Sequence, residues 1–350
     1  MRYAVSGGAG GPRLCRFVGY AMFFVNFLAI MCIIMYSNNI NPFNLTTKNY
    51  NREGYIQLES LDPNEVAINR SIFFVETNRQ SAVELKPRQA CSIESAARAN
   101  ADRTIFILLL SPKLECINDI TAVFRLVTQY KNIKIRYFDW ISATLGTPVE
   151  EFVKSGKMES GLWPVEQLSD LLRLLLLRMF GGVYMDTDVV SLRPVPIMNF
   201  VSAEYPGVML ASGVIGIQDR SIAEKGLIMY KDGFVADHWT ENGPKLITRL
   251  MQEICETDNV TAMYSGDAKC DDFTVYPPET FSPIAWYNWE AFFNVENEDK
   301  VMRDIENSIA VHFWNRMTKN TPIVVGSGQP YAQVAATYCP RVYETIDDSF

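Results

Sequence analysis

The sequence predicts an α/β domain with a mostly parallel sheet, preceded by a single transmembrane helix. Three short apolar runs, 71–77, 103–110 and 133–140, alternate with helix-like stretches at 92–100 and 119–130, as is typical of βαβ units. A content of 48% apolar and 21% charged residues indicates a globular chain with a substantial core. The net charge of −8 argues against a nucleic-acid partner, because such a protein needs lysine and arginine to neutralise phosphates.

The first element is an uncharged, predominantly apolar run from Phe17 to Tyr36, long enough at about 1.5 Å per residue to cross about 30 Å of hydrocarbon. A signal peptide is the alternative, but its apolar region is usually about 7–15 residues long and ends at a small-residue cleavage site, which this run lacks. Basic residues concentrate before the run, so the positive-inside rule predicts a type II arrangement. We expect a cytosolic tail at 1–16, a membrane helix at 17–36 and a lumenal remainder.

The lumenal part divides into a stem and a domain. Residues 37–69 are rich in asparagine, contain Pro42 and Pro63 and show little periodicity, which is typical of a linker or stem. Segments with helix or strand periodicity begin after the stem, so we predict a catalytic domain over 70–350. Three Asn-x-Ser/Thr sequons lie on the lumenal side and are predicted glycosylation sites: Asn44, Asn69 and Asn259.

Five cysteines follow the membrane run, where a secretory lumen permits disulfides. Proximity along the chain favours the pairs Cys91–Cys116 and Cys255–Cys270 and leaves Cys339 unpaired, although sequence alone does not fix the connectivity. A zinc site is disfavoured, because no Cys-x-x-Cys spacing occurs and the chain has only two histidines.

The clearest helix runs from Pro164 to Phe180, where Gly181-Gly182 ends it. Leucines occupy both the i, i+3, i+4 face and the opposite face, so the helix should be buried almost all round. Asp170 and Arg173 are three residues apart within it and can pair. Such a buried pair is consistent with a structural role and with a binding role.

Two aspartates, Asp186 and Asp188, follow the short apolar strand that begins at Gly182. In open α/β sheets, ligands bind beyond the carboxyl ends of the strands. Carboxylates at i and i+2 can hold a hard divalent cation, which binds the oxygens of a diphosphate and neutralises charge on a departing phosphate. Asp-x-Asp alone arises by chance, but the ordered block from Ser169 to Asp188 is specific. The block predicts transfer from a nucleotide-linked donor.

Over about residues 70–345 the chain resembles the DXD-type glycosyltransferases, and within them the family of α1,4-galactosyltransferases and α1,4-N-acetylgalactosaminyltransferases. The resemblance is carried by segments in the family's order: 72–77, 91–98, 169–188, 243–249, 276–279, 310–315 and 338–340. It implies a GT-A fold, which is a Rossmann-like glycosyltransferase domain.

The same resemblance assigns the site residues. It places Glu76 and Thr77 at the nucleotide and makes Asp186, Asp188 and His312 ligands of Mn²⁺ or Mg²⁺. The donor sugar and diphosphate would meet the remaining donor-binding residues, Asp170, Arg173, Tyr184, Asp186 and Trp314. Asp188 and Asp170 are then the catalytic residues, and a UDP-sugar is the co-substrate.

The family retains the anomeric configuration of the transferred sugar. A double displacement needs a carboxylate nucleophile, and none stands out in the sequence. We therefore expect a same-face substitution, in which the leaving phosphate accepts the proton of the acceptor hydroxyl and the protein positions and stabilises. The chain departs from the family at Thr240-Glu241-Asn242 and at Ser212, close to the expected sugar pocket. Both UDP-Gal and UDP-GalNAc therefore stay open as donors.

The implied acceptor is a glycolipid of the glycosphingolipid class at the membrane surface, and the implied location is the Golgi membrane. A homodimer or complex through the membrane helix is compatible with this arrangement. Six aromatic residues form a late cluster that is core if buried and a sugar or membrane contact if exposed: Phe281, Trp286, Tyr287, Trp289, Phe292 and Phe293. Two alternatives are an α-mannosyltransferase using GDP-mannose and an inert lumenal sugar-binding or chaperone protein on the same scaffold.

Overall fold

The structure, a computed structural model of the chain, describes residues 55–77, 85–115 and 129–350. Its strands are β1 Tyr55–Gln57, β2 Ile72–Glu76, β3 Ile105–Leu109, β4 Lys113–Glu115, β5 Ile133–Tyr137, β6 Gly182–Met185, β7 Val189–Ser191, β8 Asn199–Glu204, β9 Met209–Leu210, β10 Val214–Ile217, β11 Phe273–Tyr276 and β12 Ala310–His312. Its helices are α1 Pro87–Ala99, α2 Trp140–Ala143, α3 Glu150–Lys154, α4 Pro164–Phe180, α5 Arg220–Asp232, α6 Pro244–Ile254, α7 Val260–Ser265, α8 Glu298–Ile305, α9 Asn315–Thr318, α10 Pro330–Tyr338 and α11 Pro340–Tyr343.

The central sheet has the strand order β11-β8-β10-β6-β2-β3-β5, with β9 paired to β8. Strands β6, β2, β3 and β5 are parallel, whereas β10 is antiparallel to both of its neighbours. The predicted α/β domain is confirmed, and its sheet is mostly parallel as predicted, with β9 and β10 running in the opposite direction. The connection 205–208 is too short for the crossover that parallel neighbours need, so the chain reverses there, and β9 and β10 run back along β8 one after the other.

Both faces of the sheet are covered, because alternate residues of each strand point to opposite sides. On one face, Phe73 and Val75 pack with α4, α5, α6 and α7. On the other face, Ile72 and Phe74 pack with α1, the C-terminal helices and the β7–β12 ribbon. The carboxyl ends of β6, β2 and β3 therefore open between two helical layers, where α/β proteins bind ligands.

Helix α4 has the bounds that the sequence predicts. Its leucines on both faces are buried, as are Asp170 and Arg173. Gly181 follows it with φ +61°, and Gly182 has φ +92° with its Cα facing the carbonyl of Ser71, where an added Cβ would lie 2.4 Å from that oxygen. Only glycine fits this conformation and this approach, so the helix ends and β6 begins without an intervening loop.

Residues 55–69 belong to the domain, which corrects the predicted stem boundary. Leu58 and Val66 are buried in the two cores. Glu65 pairs with Lys134 and Arg136 of β5 at 3.0 and 2.7 Å. The segment lacks periodicity because it crosses the edge of the sheet in an irregular path, and its partners are distant in sequence.

Several predictions fall on residues outside the described ranges: the cytosolic tail 1–16, the membrane helix 17–36, the stem up to residue 54, Asn44, Cys116 and most of the helix predicted at 119–130. Within the described ranges, the helices are too short or too polar to cross a membrane. Asn259 is exposed at the N-terminus of α7, and Asn69 is half-buried with its Oδ1 facing Gly181. Glycosylation of these residues stays a prediction.

The structure corrects one of the two predicted disulfides. Cys255 pairs with Cys270, as their proximity predicts, but Cys91 pairs with Cys339, the residue expected to be left over. Cys91 lies on α1 and Cys339 joins α10 to α11, and these elements share one core. Next to the bond, the Glu94 carboxylate accepts backbone hydrogen bonds from the start of α11. Contact between distant helices therefore decides this pairing rather than distance along the chain.

Candidate functional site

A cluster of three ligand-type side chains lies at the carboxyl end of β6. Asp186 and Asp188 occupy the turn between β6 and β7, and His312 ends β12, which pairs antiparallel with β7. One ligand atom from each residue lies within 4.8 Å of the others. The Nε2 atom of His312 is 3.3 Å from a carboxylate oxygen of Asp188. Two carboxylates and one imidazole suit a divalent cation of the Mn²⁺ type, so the residues fit the metal that the sequence predicts.

The backbone around the cluster fixes its members. The other oxygen of Asp188 accepts a hydrogen bond from the Asn315 N–H at 2.7 Å. The N–H of Asp186 donates to the carbonyl of Gly213 at 2.8 Å. An added Cβ on Gly213 would lie 3.0 Å from the Asp186 carboxylate and 3.4 Å from the His312 ring. A side chain at position 213 would therefore push on two of the three ligands.

Charge at the cluster is unevenly distributed. Burial raises the pKa of Asp186, and Arg173 offsets only part of this effect. Burial alone would also raise the pKa of Asp188, but His312 and the Asn315 N–H hold it below the ordinary value. The pKa of His312 is raised despite burial, chiefly by Asp188. Buried carboxylates that crowd together are stabilised by a bound cation.

A second set of residues connects the cluster to helix α4. Arg173 contacts Asp170 at 2.9 Å and Asp186 at 3.6 Å, and it donates to the carbonyl of Ser212. The Tyr184 hydroxyl donates to Asp186 at 2.7 Å. The side chains of Asp170 and Arg173 are only 6% and 5% exposed. The predicted ion pair therefore exists, and it also supports the first aspartate of the cluster.

Burial raises the pKa of Asp170 to about 7, with Asp186 and Glu166 adding to the rise and Arg173 opposing it. Gly243 lies against this carboxylate, and an added Cβ there would come within 2.3 Å of an Asp170 oxygen. The Gly-Pro segment that carries part of the sequence resemblance thus packs directly on Asp170. Its glycine leaves room for a buried carboxylate.

The structure places the remaining predicted residues around this centre. The Thr77 hydroxyl donates to the carbonyl of Val165 at 3.0 Å, and the Glu76 carboxylate accepts a hydrogen bond from Gln89. The ring of Trp314 lies 4.0 Å from that of His312, and its indole N–H donates to the Ile284 carbonyl at 2.9 Å. With its N–H already used, Trp314 orients His312. A direct contact of Trp314 with the donor stays a prediction.

Sequence analysis missed two charged residues of this region. Arg316 lies between the rings of Trp163 and Trp239, at 4.2 and 3.9 Å, and pairs with Glu166 at 2.7 Å. Glu204, at the end of β8, is buried, which raises its pKa to about 7. No local pattern marks either residue, because their neighbours come from distant parts of the chain.

Two family models match the chain. Residues 86–206 match the glycosyltransferase sugar-binding region containing DXD motif, and residues 217–346 match the alpha 1,4-glycosyltransferase conserved region. The first match contains Asp170, Arg173, Asp186 and Asp188, and the second contains His312. A DXD region of this kind implies binding of a nucleotide sugar and a divalent metal.

Known proteins give the same relationship. The lactosylceramide 4-alpha-galactosyltransferase of Pan troglodytes is 26% identical over 350 residues, covering 97% of this chain and 95% of that protein. The alpha-1,4-N-acetylglucosaminyltransferase of Homo sapiens is 24% identical over 282 residues, covering 79% and 81%. Among solved structures, the PaToxG glycosyltransferase is 16% identical with a TM-score of 0.42, covering 57% of this chain and 72% of that one.

The sequence matches identify the chain as a glycosyltransferase with a match to the DXD-containing sugar-binding region. More particularly, it is related to the alpha 1,4-glycosyltransferases, whose conserved region spans its C-terminal part. The predicted resemblance is confirmed. The roles of the individual site residues stay predictions.

Proposed function

We propose that this enzyme transfers galactose or N-acetylgalactosamine from a UDP-sugar to a glycolipid acceptor, in α1,4 linkage and with retention of configuration. The observation that carries the proposal is the Asp186–Asp188–His312 cluster, held by Tyr184 and Arg173 at the carboxyl end of β6. The relatives named lactosylceramide 4-alpha-galactosyltransferase support the linkage and the class of acceptor. The relative named for N-acetylglucosamine adds UDP-GlcNAc to the donors that should be compared.

In this proposal Asp186, Asp188 and His312 would hold a divalent cation, with Mn²⁺ as the first candidate. When bound, the cation supplies positive charge to the diphosphate of the donor. Tyr184 and Arg173 fix the orientation of Asp186, while Trp314 and Asp188 fix that of His312. Ligands held in place in this way lose little freedom on binding and keep their geometry while charge develops on the leaving group.

The chemical step needs no further protein base. The bond from the anomeric carbon to the phosphate oxygen breaks, a bond to the acceptor oxygen forms on the same face, and the acceptor proton passes to the departing phosphate. Asp170 and Arg173 are buried next to the cluster and would orient the donor sugar. The role of the enzyme is then positioning and electrostatic stabilisation.

We also propose that the enzyme is a type II protein of the Golgi membrane with its catalytic domain in the lumen. The uncharged run at 17–36 supports an anchor, and the disulfides Cys91–Cys339 and Cys255–Cys270 support an oxidising compartment. An anchored enzyme and a glycolipid share one membrane surface. Any self-association through the anchor would leave the site unchanged.

The first test is thermal unfolding of the full chain in detergent with Mn²⁺ plus UDP, UDP-Gal, UDP-GalNAc, UDP-GlcNAc or GDP-mannose. A ligand that binds the native state raises the midpoint by mass action. We expect stabilisation by UDP and UDP-sugars that requires the metal and disappears in Asp188→Ala. The matched control is Asp102→Ala, because Asp102 is a surface carboxylate, 71% exposed, paired with Arg70.

Each outcome has a definite meaning. Absence of any metal-dependent response to UDP would overturn the proposal, and a response to GDP-mannose alone would favour a mannosyltransferase. The second test incubates the enzyme with lactosylceramide and each UDP-sugar. An α-linked product, identified by its anomeric proton coupling, is expected, and a β-linked product would contradict retention.

A further inference from the structure

Glu204 lies at the same edge of the sheet as the metal cluster. Strand β8 is antiparallel to β10, and β10 is antiparallel to β6, so the carboxyl end of β8 meets the edge where β6 delivers Asp186. By strand alternation Glu204 shares a face with Phe200, whose core includes Phe313, the residue after His312. His312 and Glu204 are close enough for each to act on the pKa of the other.

Glu204 is a largely buried residue whose carboxylate lacks a protein partner. The residue is only 7% exposed, and its backbone carbonyl accepts a hydrogen bond from the Gly207 N–H, but within the described part of the chain its carboxylate accepts no hydrogen bond and forms no ion pair. Glu94, the other deeply buried glutamate on this side of the sheet, accepts hydrogen bonds from Tyr130, Arg341 and Val342. Buried carboxylates are normally paired in this way, because desolvation without compensation is costly. An unpaired one at a ligand edge indicates a group that a ligand satisfies.

Two exposed aromatic side chains lie in the segment that contacts the end of β8 through Glu279 and Tyr205. Of the six aromatic residues that the sequence groups together, Phe281 and Phe292 are core, but Trp286 and Tyr287 are 46% and 59% exposed. Their rings meet edge to face at 5.5 Å. The hydroxyl of Tyr205, the residue after Glu204, donates to Glu279, and the Trp314 indole N–H donates to the Ile284 carbonyl, so the segment 279–287 runs from the end of β8 to the neighbour of His312.

This combination has the chemistry of a sugar site. A carboxylate accepts hydrogen bonds from hydroxyl groups, and an exposed aromatic ring offers a flat apolar surface to the C–H face of a pyranose. Val208, in the connection that follows Glu204, is 72% exposed and adds an apolar side chain at the end of β8. The carboxylate of Glu204 would thus form the polar base of a sugar site, and the exposed apolar side chains would form its edge.

The position of Glu204 distinguishes the acceptor from the donor. Asp170 and Arg173 lie on α4, on the opposite face of the sheet from Phe200 and Glu204. In a same-face substitution the acceptor hydroxyl approaches on the side of the leaving phosphate, beside the cluster that would hold the cation. Glu204 is on the face of the sheet whose core contains Phe313, the residue after His312.

We infer that Glu204 binds the terminal sugar of the acceptor through one of its hydroxyl groups, with Trp286 and Tyr287 as the stacking rim. The inference rests on the proposed function and adds an acceptor subsite to it. In the step itself, the anomeric carbon exchanges its phosphate oxygen for the acceptor oxygen, and the acceptor proton goes to the phosphate. Glu204 orients the sugar and takes no proton.

The test uses full-length Glu204→Ala and Glu204→Gln in detergent with Mn²⁺, UDP-Gal or UDP-GalNAc, and lactosylceramide. We expect Glu204→Ala to raise the KM for lactosylceramide at least tenfold, with a smaller change in kcat and with UDP–Mn²⁺ affinity within twofold of wild type. Glu204→Gln keeps an acceptor oxygen and should stay within about fivefold in KM. Glu224→Ala is the matched control, because Glu224 is half exposed and forms a surface pair with Arg178.

A stability measurement separates a binding role from a structural one. Removing an unpaired buried carboxylate should not lower the unfolding midpoint, whereas removing a structural partner would lower it. A wild-type KM in Glu204→Ala, or a loss of UDP–Mn²⁺ affinity parallel to the loss of transfer, would overturn the inference.

If the wild-type enzyme fails to bind UDP with Mn²⁺, the proposed function fails first. Binding of the acceptor sugar at Glu204 is then tested by saturation-transfer NMR of a soluble lactoside with the wild-type chain and with Glu204→Ala. Saturation transfer to the lactoside in the wild type and its loss in the variant would support the subsite. Equal signals in both proteins, or no signal in the wild type, would refute it.

Discussion

Replacement of Gly213 by alanine tests the geometry of the metal cluster without removing a ligand. The backbone of Gly213 is not in the left-handed region, so alanine meets no conformational strain there. Its Cβ would lie 3.0 Å from Asp186 Oδ2 and 3.4 Å from His312 Cε1. Contacts this close require both side chains to move by a few tenths of an ångström, against metal–ligand distances of about 2.0–2.2 Å.

Displacements of this size act like the loss of an orienting partner of a metal ligand, which typically weakens metal affinity by about 10–100-fold. We therefore expect Gly213→Ala to weaken Mn²⁺-dependent UDP binding by that factor, measured by titration calorimetry. This corresponds to about 1.4–2.8 kcal/mol. Overpacking should also reduce the free energy of unfolding by about 1–3 kcal/mol.

Gly226→Ala is the matched control. Its added Cβ would also have a nearest neighbour at 3.0 Å, but that neighbour is a methyl group of Leu174 in the core between α4 and α5. UDP–Mn²⁺ affinity should be unchanged in this variant. If Gly213→Ala bound UDP and Mn²⁺ as tightly as wild type, the three residues would not form the metal site.

Three further outcomes follow from buried charges and the long-range disulfide. Arg173→Met leaves Asp170 and Asp186 uncompensated and should cost about 3–5 kcal/mol in urea unfolding, whereas Arg178→Met, at a surface pair, should cost less than about 1 kcal/mol; equal losses would contradict the network. Replacing both Cys91 and Cys339 by alanine should lower stability by about 2–5 kcal/mol, and an unchanged unfolding midpoint would argue against the bond. In the metal-free enzyme, the rise of the Glu204 pKa from 4.5 to about 7 means that the folded state keeps a proton that the unfolded state releases, so wild-type stability falls as pH rises between these values. Glu204→Gln should therefore gain up to about 3 kcal/mol over wild type above pH 7 and nothing below pH 4.5, and a pH-independent difference would refute this.

Periodicity, terminal glycines and short residue spacings predicted the structure correctly where that structure depends only on residues close together in the chain. Helix α4 has its predicted bounds, because its apolar periodicity and its terminal glycines are properties of neighbouring residues. The Asp170–Arg173 pair follows from their spacing on one helix, and Cys255–Cys270 from a short separation. The placement of Asp186 and Asp188 at the end of a buried strand follows from the alternation of strand and turn residues.

Contacts between segments that are distant in the chain could not be predicted from such patterns. His312 joins the two aspartates only because β12 pairs with β7, and sequence analysis reached it through resemblance rather than spacing. Cys91 meets Cys339, and residues 55–69 join the domain, because of how the elements pack. The antiparallel direction of β9 and β10 likewise depends on the reversal of the chain after β8, which no periodic pattern predicts.

The sequence by itself determined an α/β domain with an Asp-x-Asp strand end and a buried ion pair, because periodicity and short spacing are properties of single elements. Its resemblance to the DXD-type glycosyltransferases implied the activity. Tertiary structure decided which side chains share the site and which of them lack partners. Glu204 shows the difference: the lack of a partner for its carboxylate is a property of its surroundings, which include β8 and His312 of β12. Strand order and register bring those segments together, and neither is encoded at any one position in the chain.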